Sequence, residues 1–169
     1  MQRLTRSSTS LAVRGDLTIH SAPSALRNHI DWALVDLLTP QIRCDWTPQV
    51  LKAGTYKCAL SWRDREGVAS AIATVLRSWH YIYFEVQEDN NNGGELFRCT
   101  PELGIHRALT DLSGSVIMNQ NQIDAVLAQS FDEESIRLGL SLIIGSDWEN
   151  ELEPFRGVAH QEIAHLRAI

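Results

Sequence analysis

The sequence predicts an α+β fold in one domain. Three observations point there. Short stretches of alternating apolar and polar residues, each four to eight long, recur between Leu17 and Asp111. Two helical patterns, with apolar residues three and four apart, are interleaved among the first of these. Further helical patterns gather after Ser115. The 169 residues suffice for a sizeable core, and 44% hydrophobic with 21% charged residues is ordinary for a globular protein.

In chain order, Leu17 and Ile19 alternate with Thr18 and His20 as a half-buried strand. The turn APS leads into a helix carrying Leu26, Ile30, Leu34, Leu37 and Leu38, ended by Pro40. Pro23 suits its first position. In QIRCDW, Ile42, Cys44 and Trp46 share one face; in TYKCALSW, Tyr56, Cys58, Leu60 and Trp62 do. A hairpin pairing Cys44 with Cys58 also pairs Ile42 with Leu60 and Trp46 with Tyr56, all on the apolar side. The two cysteines are then expected side by side, kept reduced in a cytoplasmic setting.

DREGVASAIATVLRSW is a second helix, with Val68, Ile72, Val75, Leu76 and Trp79 buried. HYIYFEVQ is a strand with Ile82, Phe84 and Val86 inward, and EDNNNGG a turn. GELFRCT and IHRALTD are strands separated by the turn PELG. Asn119 and Gln122 form a capping box that opens a helix at NQIDAVLAQ. DEESIRLGLSLIIG is acidic at its start and closes on Gly145, as helices do. It is apolar almost all round and is expected to cover the open face of the sheet. SDWENELEPFRG is a short turn or helix.

The first six elements run β-α-β-β-α-β, the ferredoxin-like arrangement, followed by a β-hairpin and C-terminal helices packed on the sheet. Residues 1 to about 12 are expected to be a flexible tail and 13–169 a single domain.

Several function classes recede. A net charge of −6 and a pI near 5.4 disfavour nucleic-acid binding. No apolar run approaches the ~20 residues that span a bilayer, and the N-terminal LAV is too short for a signal core. The expected location is cytoplasmic. Three cysteines without a CxxC pair fit small buried hydrophobes better than a disulfide framework or a zinc site. No cofactor motif, P-loop, HExxH or GxSxG is present, so no cofactor and no metal are expected.

With successive strands taken to alternate in direction, and the order 5-4-1-3-2, the ends of strands one, three and five meet the start of strand four. His20, His80, Tyr81 and Glu102 then gather at one rim with the start of the first helix. Free backbone N–H groups there, Ser21, Ser24 and Arg27 form a candidate anion site, with His20 a weak candidate for a general base and no other catalytic residue. Helix capping by Ser21 and Pro23 accounts for the same residues more simply. Trp46, Trp62 and Tyr83, in or beside aromatic-rich turns, are candidate interaction anchors. Glu162-x-x-His165 lacks a second ligand pair and reads as chance; His29, near Trp32 and Asp36, reads as a helix flank; Asp147, Glu149, Glu151 and Glu153 read as a solvated helix end.

The segments HSAPSALRNHIDWAL (20–34), DWTPQ (45–49), LSW (60–62), SWHYIYFEV (78–86), TPELGIHRAL (100–109) and WENELEPFRG (148–157) resemble the bacterial family catalogued as domain of unknown function 3145. His106 and the terminal AHQEIAHLRAI depart from its pattern. The resemblance implies a cytoplasmic protein of high-GC Gram-positive bacteria, with lipid-synthesis machinery as a possible partner through proximity to fatty-acid synthesis genes. Three readings follow in order: a non-enzymatic interaction or regulatory protein; a binder, hydrolase or transferase of a phosphorylated small molecule at the HSAPS turn; and a structural homodimer through the open sheet face.

Overall fold

The computed structural model describes residues 12–38 and 42–167, with side chains through residue 158. The expected tail through residue 11, the helix stop at Pro40 and the side chains of Glu162 and His165 lie outside the described residues.

Seven strands form one antiparallel sheet in the order β2-β3-β1-β4-β5-β6-β7. β1 spans Val13–Pro23, β2 Thr47–Pro48, β3 Thr55–Asp64, β4 Tyr83–Asn90, β5 Gly93–Thr100, β6 Gly104–Thr110 and β7 Val116–Ile117. The helices are α1 (Arg27–Leu37), α2 (Val68–Leu76), α3 (Gln120–Gln129), α4 (Glu133–Ile144) and α5 (Ser146–Arg167).

The main core lies between one sheet face and α1 with α2. Leu17 and Ile19 of β1, Phe84 and Val86 of β4, Ile30 and Leu34 of α1, and Ile72 and Leu76 of α2 are buried there. Each such side chain contributes about 1.5–3 kcal/mol of burial. The first turn of α2 has no local cap. Glu88 of β4 reaches it instead, accepting from the amides of Gly67 (2.6 Å) and Ala69 (2.9 Å).

The expected strand order is present, but the expected direction of β3 is not: it runs opposite to β1, with Val13 facing Asp64 and Pro23 facing Thr55. A crossover helix returns the chain to its starting edge, so the strand after it repeats the first strand's direction; only hairpins reverse it. Trp62, buried in the core, therefore lies at the far edge, away from His20. The DWTPQ segment lies at the near edge: Gln49 donates to the His20 carbonyl (2.6 Å).

QIRCDW does not form a strand over residues 42–46; pairing is confined to Thr47 with Lys57 and Pro48 with Tyr56. Pro48, not Trp46, faces Tyr56. The slip is two residues, which preserves the face, and Cys44 and Cys58 still meet, with sulfurs 2.8 Å apart.

The helix expected to cover the sheet does not. α4 contains no buried residue. Its place is taken by α5, expected only as a short turn or helix. α5 is a 22-residue helix that continues through Pro154 and seats Trp148 and Leu152 in buried positions. The two helices turn a corner at Gly145, whose φ of +79° suits glycine and where a Cβ would lie 2.5 Å from the His106 ring.

Candidate functional site

The face of the sheet opposite the main core is polar. Alternation places His20 of β1, Tyr83 and Glu85 of β4, Arg98 of β5 and His106 of β6 there, and α5 closes over them. Glu85 is the hub. Its carboxylate accepts from His20 Nε2 (2.7 Å) and from Arg156 Nε (3.0 Å), and a second Arg156 nitrogen pairs with its other oxygen. Arg98, its cross-strand neighbour, approaches to 3.7 Å. Arg98 also pairs with Glu149 (2.9 Å) and donates to the carbonyl of Ile144 at the end of α4 (3.1 Å). Burial would raise the Glu85 pKa, but the hydrogen bonds from His20 and Arg156 outweigh it and hold it at about 2. The same contact with Glu85 pushes the Arg156 pKa up.

Aromatic rings frame this hub. Phe155 lies 6.0 Å from the His20 ring and 5.0 Å from that of Tyr83, within the range of favourable ring contacts. Trp148 stacks on His106 at 4.8 Å and donates its indole N–H to the Gly104 carbonyl (2.9 Å). His106 Nε2 donates to the Ile143 carbonyl (2.9 Å), and burial lowers the pKa of this ring.

The predicted rim residues are only partly brought together. His20 and Tyr83 belong to the hub, and exposed Glu102 accepts from the Tyr83 hydroxyl (3.1 Å). Burial first, then that carboxylate, raises the Tyr83 pKa to about 12. Ser21 is a strand residue, fully buried, with its hydroxyl unpartnered. Ser21 does not cap the helix: the helical segment starts with a 3-10 turn at Ser24–Leu26, Pro23 holds the cap position, and no side chain caps it. Arg27 lies over the Tyr56 ring (3.9 Å) and donates to the Ser24 carbonyl (3.4 Å). Trp46 donates to Asp31 of α1 (3.0 Å), fixing the irregular segment on the helix.

His80 and Tyr81 are exposed. His80 joins Arg77, Ser78, Cys99, Thr100 and Ile105 around a cleft of about 460 Å³ between the end of α2 and the β5–β6 turn. Arg98 and Arg156, central to the hub, were not singled out in the sequence; the Asn90–Gly93 turn register that sets Arg98 across from Glu85 was the available signal. Among the described residues, no group of three or more His, Cys, Asp or Glu is placed to hold a metal ion, and no helix is long and apolar enough to cross a membrane.

The second candidate surface is the α3–α4 hairpin. Both helices carry capping boxes, Asn119 with Gln122 and Asp132 with Ser135, and they approach closely where a Cβ on Gly139 would lie 2.7 Å from Val126. Yet neither contains a buried residue. Phe131 is 98% exposed, Leu138 61% and Leu142 60%. Val126, Gly139, Leu142 and Ile143 line a groove of about 430 Å³ between the helices.

The family described as "Protein of unknown function (DUF3145)" matches residues 17–168. The chain belongs to this family. Within the matched span, HSAPSAL, SWHYIYFEV and WENELEPFRG supply His20, Glu85, Trp148, Glu149 and Arg156, which together seat α5 on the sheet. No curated protein and no solved structure matches the chain.

Proposed function

We propose that this protein is a non-enzymatic interaction or regulatory protein that binds a partner protein through the α3–α4 hairpin. The observation that carries the reading is the exposure of Phe131, in the turn between the two helices, and of Leu138 and Leu142 on the well-capped α4. Clustered apolar exposure of this kind marks interaction surfaces. The hairpin's charged residues are Asp124, Asp132, Glu133 and Glu134 against Arg137, so the complementary partner surface is apolar with a basic rim. The enclosure of His20 beneath α5, held by Glu85, supports a non-enzymatic role. The order β-α-β-β-α-β with antiparallel neighbours supports a ferredoxin-like reading of the core. A cytoplasmic location and a partner in fatty-acid synthesis follow from the family resemblance alone.

The test is cross-linking and affinity capture from the native host with the wild-type chain and the Leu138→Asp variant. A partner recovered by the first and lost by the second supports the proposal. Equal recovery by both removes it. Light scattering of the purified chain separates a second copy from a different partner.

One observation favours a second reading, a binder of small anions. The cleft at the end of α2 brings Arg77, Ser78 and His80 together on the predicted rim. Thermal shifts with phosphate and small phosphorylated metabolites, abolished by Arg77→Ala, test it; no shift with any of them rules it out.

A further inference from the structure

Cys44 and Cys58 are free thiols whose sulfurs lie 2.8 Å apart, with the Cys58 S–H directed at the Cys44 sulfur. Cys58 is buried in β3, in the main core; Cys44 is partly exposed, in the irregular segment just before β2. Regular pairing of that segment with β3 covers only Thr47 and Pro48, and Trp46 ties it to α1 through Asp31. Cys99 is buried at a separate place, beside the cleft at the end of α2. The arrangement thus holds one partly exposed cysteine, one buried partner whose sulfur is in contact with it, and one cysteine apart from both.

We propose that Cys44 and Cys58 form a site of reversible oxidative modification, closing an intramolecular disulfide that clamps the 42–48 segment onto β3 when a peroxide reaches Cys44. The chemistry balances in two steps. The Cys44 sulfur attacks the peroxide, the O–O bond breaks, and Cys44 becomes a sulfenic acid while hydrogen peroxide loses one oxygen as water. The Cys58 sulfur then attacks the Cys44 sulfur; the S–O bond breaks, and the leaving hydroxyl takes the Cys58 proton as a second water. Two thiols are oxidised by two electrons in all, and one peroxide is reduced to two waters. The contact with Cys44, and then burial, raise the Cys58 pKa, so Cys58 keeps its proton and Cys44, the partly exposed residue of the two, is the one that attacks the peroxide. A thiol reductant reverses the modification.

The experiment treats the purified full chain with a small excess of hydrogen peroxide and follows thiol titration under denaturing conditions, intact mass and peptide mapping. The expected result is a fall from three titratable thiols to one, a mass loss of about 2 Da, a 44–58 cross-linked peptide, and recovery of all three thiols on reduction. The melting temperature of the oxidised form rises by roughly 5–10 °C, because the link closes a loop in the unfolded chain. Cys99→Ser still loses the two hydrogens; Cys44→Ser does not, and its circular dichroism spectrum shows that it remains folded. Three thiols retained after treatment, a cross-link that includes Cys99, or stepwise oxygen addition at Cys44 without a cross-link would each overturn the proposal. Should Cys44→Ser prove unfolded, the mapped cross-link in the wild-type chain decides alone.

Discussion

α4 and α5 meet at Gly145, and the more apolar of the two is the one left in solvent. α4 carries Ile136, Leu138, Leu140, Leu142, Ile143 and Ile144 and buries none of them. α5 carries Glu149, Glu151, Glu153 and Arg156 and lies across the sheet. The sheet explains the choice. The face it offers holds His20, Glu85 and Arg98, so an apolar helix there would strip water from these groups and return no partner, at several kcal/mol per ion. α5 brings Glu149 to Arg98 and Arg156 to Glu85, and adds Trp148, Leu152 and Phe155 between them. Complementarity, not apolar content, decides which helix docks. The apolar surface of α4 is left uncovered by the sheet.

The comparison can be broken most severely at its centre. Glu85→Ala leaves Arg98, Arg156 and His20 without their shared carboxylate; a loss of about 3–5 kcal/mol is expected in denaturant unfolding at pH 7. Acid probes the same contact. Glu85 has a folded-state pKa lowered from 4.5 to about 2, so its contribution is fully present above about pH 4.5 and is lost as pH falls through 2. That contribution is about 3 kcal/mol, and the unfolding free energy of Glu85→Gln should vary less over this window. Gly145→Ala attacks the corner between the helices, forcing a Cβ toward His106 in a left-handed backbone; a cost of about 2 kcal/mol is expected, read as a lower melting temperature. The smallest effect belongs to the other side of the comparison. Leu138→Asp should change stability by no more than about 0.5 kcal/mol while abolishing partner capture.

Much of this architecture was legible. The periodicities of Leu17–Ile19, Phe84–Val86 and Ile72–Leu76 identified the main core, and the Asn119–Gln122 capping box was legible, whereas the Asp132–Ser135 box of α4 was not read behind its acidic start. The expected strand order was also correct. The direction of β3 was not, because alternation was assumed across α1, where a crossover preserves direction. The role of α4 was misread for a different reason. An all-round apolar helix is expected to be buried, but that rule is silent on whether the cover comes from the same chain. The hub was half legible. His20 and Tyr83 stood out, whereas nothing in the sequence singles out Arg98 and Arg156; the β4–β5 register and the α5 placement set both against Glu85.

The capping of α2 by Glu88 bears on how the molecule assembles. A helix closed by its own Ser or Asp can form its first turn alone; this one waits for a strand nineteen to twenty-one residues further along. Its nucleation is therefore linked to the arrival of β4 beside β1, a contact that must be closed over a long loop. Hydrogen exchange at the Gly67 and Ala69 amides should follow global opening of the domain rather than fraying of a helix end.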